Sequence, residues 1–305
     1  MRLIFIATGD IALPSFRYLL ENGPHPLALV TQPDKPVGRH QTLTPPAIKV
    51  AALEAGIPVF QPEIIGDALA DLQALEPELL VVMAYGQILR KNILALASKA
   101  IINLHASILP KYRGAACIQA AIDAGDAETG ITAMHVVREL DAGDIISIKT
   151  LMINADETGG TLHDRLALLA PEVLGEVIEN LTKGAAVRVP QDATLSSYIS
   201  KLEREDGRLD WTQDANTIER RIRAYDPWPG TFTVVTDDGQ EKRLKIFPPT
   251  EVVDQTLTIG ESAQSADGKF LIGCGSQALQ LEWVQPEGGR RMKAEDYLRG
   301  RKRGK

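Results

Sequence analysis

Cysteine is scarce in this chain: Cys117 and Cys274 are the only two among 305 residues, and they stand far apart. That spacing offers neither a disulfide framework nor a cysteine-based zinc site, and it points to a reducing cytoplasm. No apolar run approaches the about 18 residues of a membrane-spanning helix, so no membrane partner is expected. The apolar start Met1–Ala7 is too short for a secretory signal, and Thr8-Gly9-Asp10 behind it reads as a turn. That turn carries one glycine where a G-x-G-x-x-G would mark a nicotinamide dinucleotide site, and no Walker loop occurs elsewhere. None of the five histidines falls in an H-E-x-x-H pattern, so no metal is expected. Positive charge is also short, 33 Lys and Arg against 40 Asp and Glu, a net −7. Indiscriminate coating of nucleic acid is thereby excluded; binding one RNA requires a local basic face.

What is present describes a soluble globular protein, 44% hydrophobic and 24% charged, long enough for two domains. Strand and helix patterns alternate from the start. Strands are expected at 2–7, 27–31, 58–60, 79–84, 131–137 and 145–151. Helices are expected at 13–21, 47–55, 67–75, 88–97, 116–124 and 161–183. The run Leu79–Ala84 is apolar throughout, as parallel strands buried on both faces are. The pattern predicts an α/β, doubly wound, Rossmann-like N-terminal domain over residues 1–186. A long polar loop interrupts it from Gln32 to Pro46. Periodicity weakens near Ala185, and 187–202 reads as a linker. Residues 203–305 change character: one helix at 216–224, then short strands near 232–236, 244–247, 256–259, 269–274 and 279–283, with little other helix. Five short strands suggest a small β-barrel. About half of all Lys and Arg lie there, in clusters such as Arg220-Arg221-Arg223 and Lys242-Arg243-Lys245, so this barrel is a candidate nucleic-acid binder.

The chemistry is placed at Ile101–Ala116. Asn103 and His105 are two apart and share one face of an expected strand, with Leu104 on the other. Pro110 and Gly114 break the strand before an Ala-rich helix. Open α/β sheets bind their ligands at such strand ends. Taken alone, a histidine here is ordinarily a core residue and an asparagine a turn former. The same holds for Asp141 and Asp144 on the tight turn Leu140–Asp144.

Several motifs then agree in order. Asn103-x-His105, Ser107-Ile108-Leu109-Pro110 and Leu140-Asp141-Ala142-Gly143 together resemble the active-site signatures of the folate-dependent formyltransferases. Thr31-Gln32-Pro33-Asp34-Lys35-Pro36-x-Gly38-Arg39, Ala84-Tyr85-Gly86-Gln87-Ile88-Leu89, Tyr112-Arg113-Gly114-Ala115-Ala116 and Asp226-Pro227-Trp228-Pro229-Gly230 resemble the branch that acts on methionyl-tRNA. The chain departs from the family pattern at Ala7-Thr8-Gly9-Asp10, Ala106, Ile108 and Cys117. None of these touches the Asn, His or Asp, though Cys117 would set an oxidisable thiol near the site.

The resemblance implies transfer of a formyl group from 10-formyltetrahydrofolate to the amino group of methionine on initiator methionyl-tRNA. It implies a monomer with an oligonucleotide-fold-like (OB-fold-like) C-terminal domain that grips the tRNA. Asn103, His105 and Asp141 would be catalytic. Ser107, Ile108, Leu109, Pro110, Ala84, Tyr85, Gly86 and Leu89 would contact folate. Lys35, Arg39, Arg113, Arg220, Arg223, Lys242 and Lys245 would contact tRNA. These residue types suit acyl transfer: amide and imidazole N–H groups stabilise a tetrahedral oxyanion, and a histidine carries the proton. Asp141 would accept a hydrogen bond from His105, directly or through water, and favour the imidazolium. Two alternatives remain, a UDP-amino-sugar formyltransferase and a non-catalytic RNA-binding protein on the same scaffold. The Gln32–Arg39 loop argues against the first, and the intact Asn103, His105 and Asp141 against the second.

Overall fold

The computed structural model describes residues 1–38, 41–237 and 239–303. The chain divides into two compact units, neither continuous in sequence: residues 1–114, 129–151 and 163–199 form the first, and 115–128, 152–162 and 200–305 the second.

The first unit is built on a seven-stranded sheet in the order Ile145–Met152, Glu128–His135, Ala100–His105, Leu79–Met83, Leu3–Ala7, Pro26–Val30 and Val59–Phe60. The five strands from Ala100–His105 to Val59–Phe60 are parallel, and Glu128–His135 runs antiparallel to Ala100–His105. Every residue of Leu3–Ala7 and Leu79–Met83 is buried, which is why both read as unbroken apolar runs. The first strand connects outward to one side and Leu79–Met83 to the other. The strand order therefore reverses between them, at the point where open α/β sheets form a crevice. The 24-residue helix Gly159–Thr182 buries Leu162, Leu166, Val173 and Val177 at helical spacing, as expected, and keeps Pro171 in its interior.

The second unit is an antiparallel sheet in the order Thr231–Asp237, Gln240–Val253, Ala278–Pro286, Phe270–Gly273 and Ser262–Gln264, with Met292–Lys293 on Ala278–Pro286. Leu244, Ile246, Phe270, Ile272, Leu279, Leu281 and Val284 form its core with Ile218 and Ile222. Those two isoleucines come from the helix Ala215–Ala224, which is capped by the Asp214 carboxylate accepting from Thr217 N at 3.0 Å. The helix Cys117–Ala124 belongs to this unit, and its Asp123 takes both Arg221 Nη2 at 2.8 Å and Nε at 3.2 Å.

Local expectations fail where tertiary bonds override the sequence pattern. The helix expected at 88–97 shrinks to Lys91–Leu94. Gln87 is tied to Glu63 O and Ile65 N ahead of it, and Ser98 and Lys99 are drawn onto Pro77 O and Glu78 O behind it. The loop 32–46 contains a small hairpin, Lys35–Val37 against Thr42–Thr44. The expected strand 256–259 is reduced to one bridge between Ile259 and Gly273, since Gly260 turns the chain at φ +74°. The strand forms at Ser262–Gln264 instead. The C-terminal helix Ala294–Arg303 was hidden in a charge run, because only Ala294, Tyr297 and Leu298 mark its apolar face. Residues 187–202 are no free linker: Val189 pairs with Ile145, and Tyr198–Ile199 forms a parallel ladder with Arg113–Gly114.

Candidate active site

The strand Ala100–His105 ends at the carboxyl edge of the first sheet, with Asn103 level with Val82 and His105 level with Thr132. Asn103 and His105 do share a face, and Leu104 is buried on the other. His105 is 7% exposed. Its Nε2 donates to Tyr112 O at 2.8 Å, since a carbonyl can only accept. Its Nδ1 lies 3.7 Å from Asp141 Oδ2. The other Asp141 oxygen, Oδ1, is 3.4 Å from Asn103 Nδ2. Two residues of one strand thus converge on a carboxylate that lies 38 positions beyond Asn103. Asp141 Oδ2 also accepts the Gly114 N–H at 2.8 Å, which fixes the carboxylate from the far side.

The turn bearing Asp141 is backbone-strained. Asp141 sits at φ +52°, which L-residues adopt rarely. A Cβ on Gly143 would stand 1.7 Å from His135 O, so only glycine fits there. Gly114, at φ +101°, likewise presses against Ile199 O, which a Cβ would approach to 2.2 Å. Both glycines permit backbones to close in around the same carboxylate.

The Ser107–Pro110 turn is held by one buried hydroxyl. Thr132 Oγ1 donates to Ser107 O at 2.6 Å and accepts from Leu109 N at 3.2 Å. Ser107 is fully buried and its Oγ donates to Lys111 O at 2.7 Å, while Leu109 is buried and Ile108 and Pro110 are half-buried.

Ala84, Tyr85 and Gly86 lie on the adjoining strand end, beside the crevice. Ala84 O accepts from Gly9 N at 3.1 Å and Thr8 N at 3.3 Å, closing the Ala7–Asp10 turn onto it. Ala84 and Gly86 both have positive φ, +47° and +84°, and both are exposed. Tyr85 is buried with no hydrogen-bond partner for its hydroxyl, and burial pushes its phenol up to about 12. Leu89 is buried in the same apolar cluster as Tyr85. The loop residue Gln32 reaches this turn, its Nε2 donating to Tyr85 O at 2.7 Å, while its Oε1 accepts from Lys35 Nζ at 2.6 Å. Asp34 is fixed by Gln61 at 2.8 Å and Lys49 at 2.8 Å, and these two partners hold its carboxyl below the usual range. Arg39 lies outside the described residues.

The remaining cationic candidates are placed as follows. Arg113 is buried and gives Nε and Nη2 to Gln191 Oε1 at 3.1 and 2.8 Å. In the second unit Arg220 Nε donates to Asp123 O at 3.1 Å. Arg223 binds Glu157 O and Glu219 Oε2, each at 2.9 Å. Arg113, Arg220 and Arg223 therefore already serve partners inside the protein. Lys245 is exposed and Lys242 half-buried on the strand Gln240–Val253. Lys245 and Phe247 share the face opposite buried Leu244 and Ile246. Arg291 lies 4.4 Å from the Phe247 ring and Lys293 4.1 Å from Trp283. Gln191, Thr132, Ser197 and Gln61 had no signal in the sequence, since each works through a contact with a residue distant in the chain. Cys117 is a buried free thiol.

The family model described as "Formyl transferase" matches residues 1–178, and "Formyl transferase, C-terminal domain" matches residues 201–302. A curated protein of Akkermansia muciniphila named "Methionyl-tRNA formyltransferase" is 51% identical over 304 residues, covering 98% of this chain and 96% of its own. One of the same name from Geobacter metallireducens is 41% identical over 302 residues, covering 98% and 96%. Among solved structures, HypX from Aquifex aeolicus in complex with tetrahydrofolic acid superposes with a TM-score of 0.66 at 18% identity, over 98% of this chain and 47% of that one. An N-formyltransferase from Helicobacter canadensis in complex with folinic acid and dTDP-3-aminofucose does so with 0.69 at 16% identity, over 96% and 100%. The two structures share the fold; the two sequence relatives and the two family models, which between them span nearly the whole chain, show that this protein belongs to the formyl transferase family.

Proposed function

We propose that this chain transfers the formyl group of 10-formyltetrahydrofolate to the amino group of methionine on initiator methionyl-tRNA, in a reducing cytoplasm and as a monomer. The observation that carries the site is the convergence of Asn103 and His105 on Asp141, 3.4 and 3.7 Å away. Extended likeness to curated methionyl-tRNA formyltransferases supports the substrate.

The folate donor supplies an activated formyl group. The exposed backbone of Ala84 and Gly86 lies at the carboxyl end of Leu79–Met83, where open α/β sheets bind their ligands, and this supports placing the donor there. We assign Ser107, Ile108, Leu109, Pro110, Ala84, Tyr85, Gly86 and Leu89 to its binding. Residues 1–186 would hold the donor and the chemistry, with 187–202 leading to a tRNA-binding domain at 203–305.

In the neutral imidazole the Nε2 proton is committed to Tyr112 O, so the lone pair is on Nδ1. Nδ1 is therefore the atom that takes a proton from the amine as its nitrogen bonds to the formyl carbon, and that gives it to the folate N10 as the N10–formyl bond breaks and tetrahydrofolate leaves. The resulting imidazolium faces the Asp141 carboxylate, which favours the charged form. Asn103 Nδ2 carries two hydrogens. One points to Asp141, and the other is available to negative charge gathering on the formyl oxygen. Because Gly114 N–H fixes Asp141, none of these groups must reorganise during the reaction.

For the tRNA, Lys35 and Arg39 on the loop and Lys242 and Lys245 on the second unit's sheet remain the contacts we favour, and Lys245 shares its face with Phe247. A lysine beside an aromatic surface suits a phosphate backbone with unstacked bases. The test is a formyl-transfer assay with 10-formyltetrahydrofolate and either methionyl-tRNA or an amino-sugar nucleotide as acceptor. Turnover of methionyl-tRNA alone, with tRNA affinity falling as salt rises, is the expected result. Turnover of the sugar nucleotide alone would overturn the substrate, and turnover of neither would overturn the activity.

A further inference from the structure

We infer that Gln191 is a positioning residue for the reaction: its amide holds the Asp141 turn from outside the catalytic set. This rests on the assignment of Asp141 made above. Gln191 Nε2 donates to Asp141 O and to Gly143 O, each at 2.8 Å, and so bridges the two ends of the strained segment. Its Oε1 accepts both Arg113 Nε and Nη2, at 3.1 and 2.8 Å. The orientation of the amide is dictated by its partners, because two carbonyls need a donor and a guanidinium needs an acceptor. All four hydrogen bonds therefore have one solution.

The consequence reaches the carboxylate by two routes. The turn holds Asp141 at φ +52°, a conformation that persists only where neighbours enforce it. Gln191 enforces it through the carbonyl of Asp141 itself. At the same time Gln191 anchors Arg113, whose neighbour Gly114 gives its N–H to Asp141 Oδ2 at 2.8 Å. The rest of the segment reinforces this grip. Ser197 Oγ accepts from Tyr112 N at 2.8 Å, Ser197 O accepts from Arg113 N at 2.9 Å, and Tyr198–Ile199 pairs with Arg113–Gly114. Tyr112 is also the residue whose carbonyl orients His105. A stretch without hydrophobic periodicity is thus the strap that sets a carboxylate and an imidazole against each other, and Gln191 is the point where it grips the Asp141 turn.

Gln191→Leu removes both functions of the amide. Gln191→Glu keeps an acceptor for Arg113 but turns an oxygen toward the carbonyls of Asp141 and Gly143. Both variants should lower the single-turnover rate of formyl transfer by about 10- to 100-fold, the loss that a displaced catalytic group produces, while the KM for 10-formyltetrahydrofolate stays the same. Rates are taken per folded protein, with thermal unfolding run beside them. In the Asp141→Asn background, adding Gln191→Leu should change the rate by less than about twofold, since a residue acting through Asp141 has nothing further to lose. Wild-type rates for Gln191→Glu would reduce the residue to an anchor for Arg113 and overturn the inference. Multiplying effects in the double variant would also overturn it. If Asp141→Asn is slow while both Gln191 variants are fast, the positioning role falls alone. If Asp141→Asn itself runs at the wild-type rate, the Asp141 assignment falls and takes this role with it.

Discussion

His105 and His135 sit on neighbouring antiparallel strands of one sheet, 7% and 6% exposed, and meet opposite surroundings. His105 points one nitrogen at a carbonyl and the other toward the Asp141 carboxylate. His135 receives Arg188 Nη2 on its Nδ1 at 3.3 Å, and its Nε2 is buried with no partner. Burial first, and the Arg188 charge second, lower the pKa of His135. Protonating it would cost the Arg188 bond and set a buried positive charge beside the Arg188 guanidinium. Two imidazoles of equal burial therefore differ in the task open to them. A neighbouring carboxylate favours the charged form of the first, whereas burial and then the Arg188 guanidinium disfavour it in the second, against the opposing pull of Asp144. Its backbone is where His135 serves the site: His135 N donates to Asp144 O at 2.9 Å, and its carbonyl crowds Gly143.

The largest effect expected from testing that contrast is on His105. His105→Ala should cut single-turnover formyl transfer by roughly 10²–10⁴, while His135→Gln, which keeps an acceptor for Arg188, should transfer formyl at the wild-type rate. Comparable losses in both would erase the distinction. Asp141→Asn comes next, at about 10²-fold, because the carboxylate that faces the imidazolium loses its charge but not its shape. Its pH–rate profile should shift to lower pH, and an unchanged profile would leave Asp141 only a turn-forming role.

A third change acts on stability. Thr132→Val leaves Ser107 O and Leu109 N buried without their partner and should cost about 1–3 kcal/mol, read as a lower denaturation midpoint at unchanged m-value. No loss of stability would mean that the Ser107–Pro110 turn holds itself.

The smallest effect concerns His135 and acid. Its folded pKa is depressed below the unfolded value of about 6.5, so the folded state binds fewer protons in that window. Its contribution favours the fold above about pH 6.5 and is lost as pH falls toward the depressed folded value. His135→Gln should therefore show a shallower drop in Tm between neutral and mildly acid pH than wild type. Parallel curves would show that Arg188 and burial do not set this histidine.

The strands, the long helix and the motif residues were legible in the chain. Leu3–Ala7 and Leu79–Met83 announce their burial by unbroken apolar runs, and Asn103 and His105 announce a shared face by a spacing of two. These are local properties, fixed by backbone periodicity and side-chain type. The order of the motifs also named Asn103, His105 and Asp141, the set we propose as catalytic. Three other features were decided only when distant segments met. Residues 187–202 look like a linker because their side chains bury no periodic face; they work through Gln191 and Ser197, whose hydrogen bonds leave no pattern in sequence. Arg113, Arg220 and Arg223 look like free cations until Gln191, Asp123, Glu157 and Glu219 occupy them. The contrast between His105 and His135 was equally hidden. Both are single imidazoles at the end of an apolar strand pattern, and what separates them is that folding brings the Arg188 guanidinium to one ring and the Asp141 carboxylate to the other. Periodicity records which face a residue shows to the core, whereas charge and hydrogen-bond partners are set by contacts that exist only in the folded state.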